Sequence, residues 1–336
     1  MSSNSNHCPD SLGLELASRV KVAFYSGTGG AERIARCFAE QLAVHGCIVD
    51  LERISHGGAH QDSLAACELL VLVTVVHDFN TPHQVQLWLE NSDAAPSLRA
   101  AVFSVSGGGE AITNRANRQA AIRILEAKGA TVIYDDTIPM PCNYFFRIQH
   151  PLDAMELEAY PLIVKKRTAS ILAGEQRRSR PGPVDHLVTW LSRNAWRRGA
   201  RFGQAIKVAE DCAGCGLCAR GCPAGNISMG PETTAHPDDN PTTDTSAAGT
   251  AAAVSVKPVF ADRCVLCLRC LYACPNQALS PGREKFAVLQ DGYALDEIAS
   301  RHPTPDDWQN LESLAKGWLY AGIRRYLQEA RDLLEV

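Results

Sequence analysis

Eight of the chain's thirteen cysteines stand in two runs of identical spacing, each closed by proline. The first is Cys212-x2-Cys215-x2-Cys218-x3-Cys222-Pro223 and the second Cys264-x2-Cys267-x2-Cys270-x3-Cys274-Pro275. Three thiols, each two residues from the next, sit on one tight turn and wrap three corners of a four-iron cubane, in which every iron needs a thiolate. The fourth corner faces away from the turn and must be reached from elsewhere. Structural zinc uses C-x2-C pairs, two per ion, and leaves the third cysteine and the proline without a role. A disulfide framework belongs to short secreted chains, and this one has 336 residues. The spacing therefore predicts two 4Fe-4S clusters and requires the two runs to fold against each other.

The run is the ligand pattern of bacterial ferredoxins, in which three cysteines of one run and the last of the other hold each cubane. On that pattern Cys212, Cys215, Cys218 and Cys274 form one set, and Cys264, Cys267, Cys270 and Cys222 the other. Every iron is then ligated by protein, so the clusters relay single electrons and perform no chemistry on a substrate.

Length allows two or three domains. A hydrophobic content of 46% and a charged content of 21% are those of a soluble globular chain. The N-terminal sequence has no basic segment followed by an apolar stretch and does not read as a signal peptide. The most apolar run, Leu69 to Val76, is too short for a membrane span and suits a buried strand. Cluster thiolates need a reducing compartment, so the expected location is the cytoplasm. Net charge is −4, yet residues 161–202 hold ten Lys or Arg against two acids. With no nucleic-acid motif present, that stretch reads as the solvated face of helices joining two domains.

Residues 20–140 alternate apolar strands with amphipathic helices. Strands are expected at Val20–Tyr25, Ile48–Leu51, Leu69–Val76, Ala100–Val105 and Thr131–Tyr134. Helices are expected at Glu32–Val44, around His83–Leu89 and near Asn114–Ala127. Such alternation implies a parallel sheet covered on both faces. Residues 153–200 read as helical. The domain plan is a disordered tail at 1–18, an α/β domain at 19–176, a basic linker at 177–204, the cysteine module at 205–284 with a mobile insertion at 231–254, and a C-terminal region at 285–336. In that last region Trp308, Leu311, Leu314, Ala315, Trp318, Leu319, Ile323, Tyr326, Leu327 and Ala330 follow the spacing of one long amphipathic helix.

The first strand runs into Ser26-Gly27-Thr28-Gly29-Gly30 and then a helix. A small, hydroxyl-bearing loop at a helix N-terminus exposes backbone N–H groups and suits a phosphate. It is neither a Walker loop nor a G-x-G-x-x-G fingerprint. The loop after the third strand carries Phe79 and Asn80, and that after the fourth carries Ser106-Gly107-Gly108-Gly109. An aromatic there can stack on a flavin ring, and glycines let backbone amides approach its polar edge. His77-Asp78 is a candidate proton-transfer pair that reads more simply as a solvent-facing loop. Cys8, Cys37, Cys47, Cys67 and Cys142 have no metal spacing, and the apolar neighbours of Cys37, Cys47 and Cys67 make them small buried side chains.

The SGTG loop, the triple-glycine loop, Met140-Pro141-x-Asn143-Tyr144 after the last strand and the two C-terminal cysteine runs together resemble the flavodoxin–ferredoxin fusion proteins over roughly residues 20–280. The resemblance implies a flavodoxin-like doubly wound parallel sheet, followed by an α+β two-cluster bacterial ferredoxin module. It also implies an FMN at the three loops and an electron-transfer role with a redox protein partner that the sequence does not identify. The chain departs from the pattern where flavodoxin loops continue SGTG with Asn-Thr: here Gly30-Ala31 follows, and Ala31 lacks the hydroxyl. Cys142 likewise stands where a second asparagine is common. Two other readings are a flavin-dependent reductase of a small substrate, and a redox-sensing or docking protein whose flavodoxin-like domain is empty.

Overall fold

The computed structural model describes residues 18–56, 64–111, 113–231 and 256–334. The N-terminal tail up to residue 17, Cys8 within it, and the insertion beyond Pro231 lie outside the described residues.

Strands β1 (Arg19–Phe24), β2 (Ile48–Arg53), β3 (Leu69–Val75), β4 (Arg99–Ser106) and β5 (Thr131–Pro139) form one parallel sheet in the order β2-β1-β3-β4-β5. This is the flavodoxin-like order, with its switch point between β1 and β3. The strands are apolar on both sides because both faces are covered. On one face Val20, Val22, Phe24, Leu69, Val71 and Val73 meet helices α1 (Gly30–Val44) and, later in the chain, α4 (Leu152–Leu172). On the other, Ala23, Leu70 and Leu72 meet α2 (His83–Asn91) and α3 (Gln119–Ala127). Strand β5 continues five residues beyond its expected end, through Asp135, Asp136 and Thr137. These polar residues interrupt the apolar pattern, yet they are buried because each has a partner. Arg118 Nε donates to Asp135 at 2.8 Å, and Arg167 Nε donates to Asp136 at 2.7 Å.

The basic stretch is largely the solvated face that its charge pattern predicts, since Lys165, Lys166, Arg177, Arg178, Arg180, Arg193, Arg197, Arg198 and Arg201 are exposed, but some of its residues are tied down. Arg167 is buried, Arg177 reaches Asp136 at 3.0 Å and Arg178 reaches Glu126 at 3.0 Å. Arg177 also bridges to the edge of β5 through its backbone. Helices α5 (Pro183–Leu191) and α6 (Trp196–Gln204) then lead into the cysteine module.

That module is two interlocked halves. The first contributes β6 (Lys207–Val208), α7 (Leu217–Gly221) and β7 (Ile227–Pro231). The second contributes β8 (Val256–Phe260), α8 (Arg269–Tyr272) and β9 (Leu279–Ser280). Strand β6 pairs with β9 and β7 with β8, both antiparallel, so each half closes on the other.

The C-terminal region is not one helix. It breaks into α9 (Leu295–Ala299), α10 (Pro305–Gln309), α11 (Leu311–Leu314) and α12 (Ala321–Leu334). Thr304 caps α10 in a capping box with Asp307, and Gly317 takes a left-handed φ of 89° before α12. The break separates the apolar stripe. Trp308, Leu311, Ile323, Tyr326 and Leu327 join the core of the α/β domain, while Trp318 and Leu319 are 79% and 63% exposed. Helix α12 thus returns to the first domain, where Arg167 holds Glu329 through two 2.6 Å hydrogen bonds. Burial pushes the Glu329 carboxyl up, but those bonds and Lys166 outweigh it and bring it down to about 2.

Candidate redox site

Strands β1, β3 and β4 end on one side of the sheet, and their three loops meet there around a cavity of about 460 Å³. Its walls include Ser26, Gly27, Thr28, Gly30, Phe79, Ser106, Gly107 and Gly108. A ligand pocket beyond the carboxyl ends of the strands at the switch point is where this fold binds cofactors, and the volume lies in the range of small-molecule sites. Asp78 and Phe79 take successive left-handed φ values of 47° and 61°, which set the half-exposed Phe79 ring at the rim. Gly108 has open space where a side chain would stand, and Gly107 sits directly against Cys142.

Three expected residues stand elsewhere. Gly29, with φ of 102°, caps α1, and its N–H donates to Ser26 Oγ at 3.2 Å. The Asn80 amide donates to Thr189 O at 2.8 Å and lines a neighbouring cavity. Gly109 packs against α12, where an added Cβ would come within 2.8 Å of the Gly322 backbone.

His77 and Asp78 do not form a solvent-facing pair. The His77 ring stands edge-on to Tyr25, with centroids 6.2 Å apart. Burial pulls its imidazole down to about 4 against the opposing charge of Asp78, so it is neutral at pH 7. Asp78 instead pairs with Arg198 of α6 at 3.0 Å.

The eight run cysteines surround two further cavities. Cys212, Cys215, Cys218 and Cys274 line one of about 60 Å³. Cys222, Cys264, Cys267 and Cys270 line another of about 20 Å³. Each set draws three thiols from one run and the last thiol from the other. Among the described residues, no group of three or more His, Cys, Asp or Glu is placed to hold a single metal ion. The thiols border a shared space, which is what a cubane with one iron per corner needs. Burial pushes the Cys264 thiol up to about 11 and that of Cys267 to about 12. A thiolate in such surroundings needs bound cationic iron to compensate its charge.

The second cysteine set adjoins the loop cavity. Cys267 and Val265 line both spaces. A Cβ added to Gly27 would lie 2.7 Å from Cys267 Cβ, and Arg269 donates to Gly27 O at 2.9 Å. Asn143 fastens the junction by donating to Thr28 Oγ1 at 2.8 Å, while the Tyr272 hydroxyl donates to Asn143 O at 2.8 Å. Tyr293, from the C-terminal return, donates to Pro141 O at 2.7 Å and completes the wall. Arg198, Val265 and Tyr293 carry no spacing signal and were invisible as site residues in the sequence. No helix among the described residues is long and apolar enough to cross a membrane.

Residues 211–278 match the family described as 4Fe-4S dicluster domain. Among solved structures, oxidised flavodoxin 1 from Bacillus cereus is 15% identical with a TM-score of 0.34, covering 46% of this chain and 97% of its own. Flavodoxin 2 from Bacillus cereus is 19% identical with a TM-score of 0.34, covering 45% and 99%. Rubredoxin oxygen:oxidoreductase from Desulfovibrio gigas is 14% identical with a TM-score of 0.32, covering 47% and 38%. No curated protein matches the chain. The fold of the first domain is assigned from the strand order itself. With that sheet followed by a 4Fe-4S dicluster domain, the chain has the architecture of a flavodoxin–ferredoxin fusion.

Proposed function

We propose that the chain is an electron carrier that holds FMN in the 460 Å³ loop cavity and two 4Fe-4S clusters on its eight run cysteines, and exchanges electrons with a redox protein. The observation that carries this reading is Cys267, which walls both the loop cavity and the second cysteine cavity. FMN, when bound, supplies a centre that exchanges electrons in pairs or singly, whereas each cubane carries one.

In this reading the α1 loop holds the phosphate with backbone N–H groups of Gly27, Thr28, Gly30 and Ala31, which offsets the missing hydroxyl at Ala31. The Phe79 ring covers the flavin plane, and Gly107 and Gly108 leave their backbone open to its polar edge. Neutral His77 and the ion-paired Asp78 leave no free acid on that loop. Cys222, Cys264, Cys267 and Cys270 form the set next to the flavin. The other set contains the exposed Cys215 and faces the partner. The test is flavin, iron and acid-labile sulfide in protein purified without oxygen. One FMN with about eight irons per chain is expected; eight irons without flavin overturns the flavin half.

A second reading, a flavin-dependent reductase, is favoured by one feature. A cavity of about 640 Å³ shares His77, Asp78 and Val265 with the loop cavity and is walled by Arg123, His186 and Trp190. Turnover of a substrate panel with an artificial donor separates it from the carrier.

A further inference from the structure

The cavity of about 640 Å³ adjoins the loop cavity through His77, Asp78 and Val265, which wall both. It is the larger of the two, and its volume falls in the range of small-molecule sites. Its walls say what kind of molecule it suits.

The polar groups select an anion. Arg123 lines the cavity from α3, and Arg193 from the turn between α5 and α6. Neither has a carboxylate partner among the described residues. Asp78 is the one carboxylate among the described lining residues, and Arg198 already holds it at 3.0 Å. The amides of Asn80 and Gln86 already donate to Thr189 O and Thr81 O, each at 2.8 Å. Gln84 differs. Its side chain lines the same cavity, and its Oε1 is buried with no hydrogen-bond partner among the described residues. A buried acceptor unmet by protein atoms calls for a donor from a bound group.

The apolar wall is aromatic. Trp190 and Trp196 both line the cavity, yet they are 56% and 43% exposed. Arg193 stacks over the Trp190 ring, 4.3 Å from its centroid. The His83 ring lies against Trp196, with centroids 5.1 Å apart and planes 17° from parallel. Indoles supported in this way and still half open are platforms for a planar ring.

We infer that this cavity is a nucleotide site, taking a planar base with an exocyclic amine and a phosphate in one molecule. The base stacks on the Trp190–Trp196 wall, the phosphate meets Arg123 and Arg193, and the amine donates to Gln84 Oε1. The inference names a ligand class for the cavity on which the reductase reading rests, and it requires neither turnover nor a bound flavin.

The test is calorimetric titration of the full chain, purified without oxygen, with AMP and separately with nicotinamide mononucleotide, flavin being counted before and after. Saturable binding of at least one is expected. The matching nucleoside and inorganic phosphate, each lacking one half of the ligand, should bind more weakly by about tenfold or more. Arg123→Gln and Trp190→Ala change exposed side chains. Each should weaken binding about tenfold at an unchanged melting temperature, and Trp190→Phe should restore most of the loss. Three results overturn the inference: no binding of either nucleotide, binding that neither variant moves, or flavin released in proportion to nucleotide bound, which would place the nucleotide in the loop cavity. A chain without flavin that still binds the nucleotide keeps the site and fails the flavin reading. Binding without turnover of the reduced nicotinamide keeps the site and fails the reductase reading.

Discussion

The two cysteine runs share their spacing and differ in what surrounds them. In the first, the left-handed positions between the cysteines are Gly214 and Gly216, with φ of 62° and 71°, and Cys215 is exposed. In the second, the equivalent positions are Leu266 and Leu268, with φ of 59° and 62°. A left-handed non-glycine residue costs about 1–2 kcal/mol, so the leucines need a reason. Leu266 lines the loop cavity and Leu268 is buried in the core of the cysteine module. The ligand turn thus dictates the backbone in both halves, while packing dictates the side chains in the second, at the loop cavity and in the module's own core. The first half touches the first domain beside His56, through Pro223 and Gly225, whereas the second walls its loop cavity.

The largest effect that sharpens this contrast comes from the cysteines. Cys267→Ser and Cys215→Ser should each lower iron from about eight to about four per chain. Only Cys267→Ser should also uncouple the flavin from the cluster that remains, slowing its reduction more than tenfold in stopped flow. Equal slowing in both variants would erase the distinction between the runs.

Next comes the contact itself. Gly27→Val places a side chain where Cys267 Cβ is 2.7 Å away and its carbonyl 3.3 Å. Overpacking of this kind costs about 1–3 kcal/mol, read as a lower melting temperature together with lost flavin. Gly108→Ala faces nothing within 4 Å and should leave melting unchanged. A Gly27→Val chain that melts like the wild type would mean the two domains do not meet through this loop.

How much of this was legible in the sequence follows from the range of each interaction. The cysteine sets could be read because ligand spacing is local and the cluster's geometry dictates which thiol crosses over. The three loops could be read because strand ends announce themselves through apolar runs. The C-terminal return could not: periodicity places Trp308 and Tyr326 on an apolar stripe but says nothing of what covers it, and the turn at Gly317 falls inside the pattern. Asp135 and Asp136 hid the end of β5, since their partners Arg118 and Arg167 lie 17 and 31 residues away. Val265 and Tyr293 became wall residues only through packing between distant segments.

Acid should loosen the packing of that return on the first domain. The folded Glu329 carboxyl is held near 2 against an ordinary 4.5. A group held low contributes stability that is complete above its unfolded value and lost as pH falls through the folded one. Between about pH 4.5 and 2, therefore, α12 loses its tie to Arg167, and fluorescence of buried Trp308 should report it. Glu329→Gln should weaken that tie already at pH 7 and flatten the acid dependence. An unchanged acid profile in the variant would assign the transition to other carboxylates.

The smallest effect is the sharpest test of the backbone argument. Three residues after the last cysteine of each run the chain again turns left-handed, at Gly225 with φ of 56° and at Gln277 with φ of 50°. Unlike Leu266 and Leu268, Gln277 is exposed, so no packing rewards its strain. Gln277→Gly removes the Cβ conflict, worth about 1–2 kcal/mol, and adds about 0.5–1 kcal/mol of chain entropy to the unfolded state. The net expectation is a gain of about 0.5–1 kcal/mol, seen in chemical denaturation. Gly225→Ala should lose at least as much, because its new Cβ also meets the His56 ring at 2.9 Å. If both substitutions are neutral, the left-handed turns are held so loosely that the leucines of the second run carry no strain, and their presence reflects packing alone.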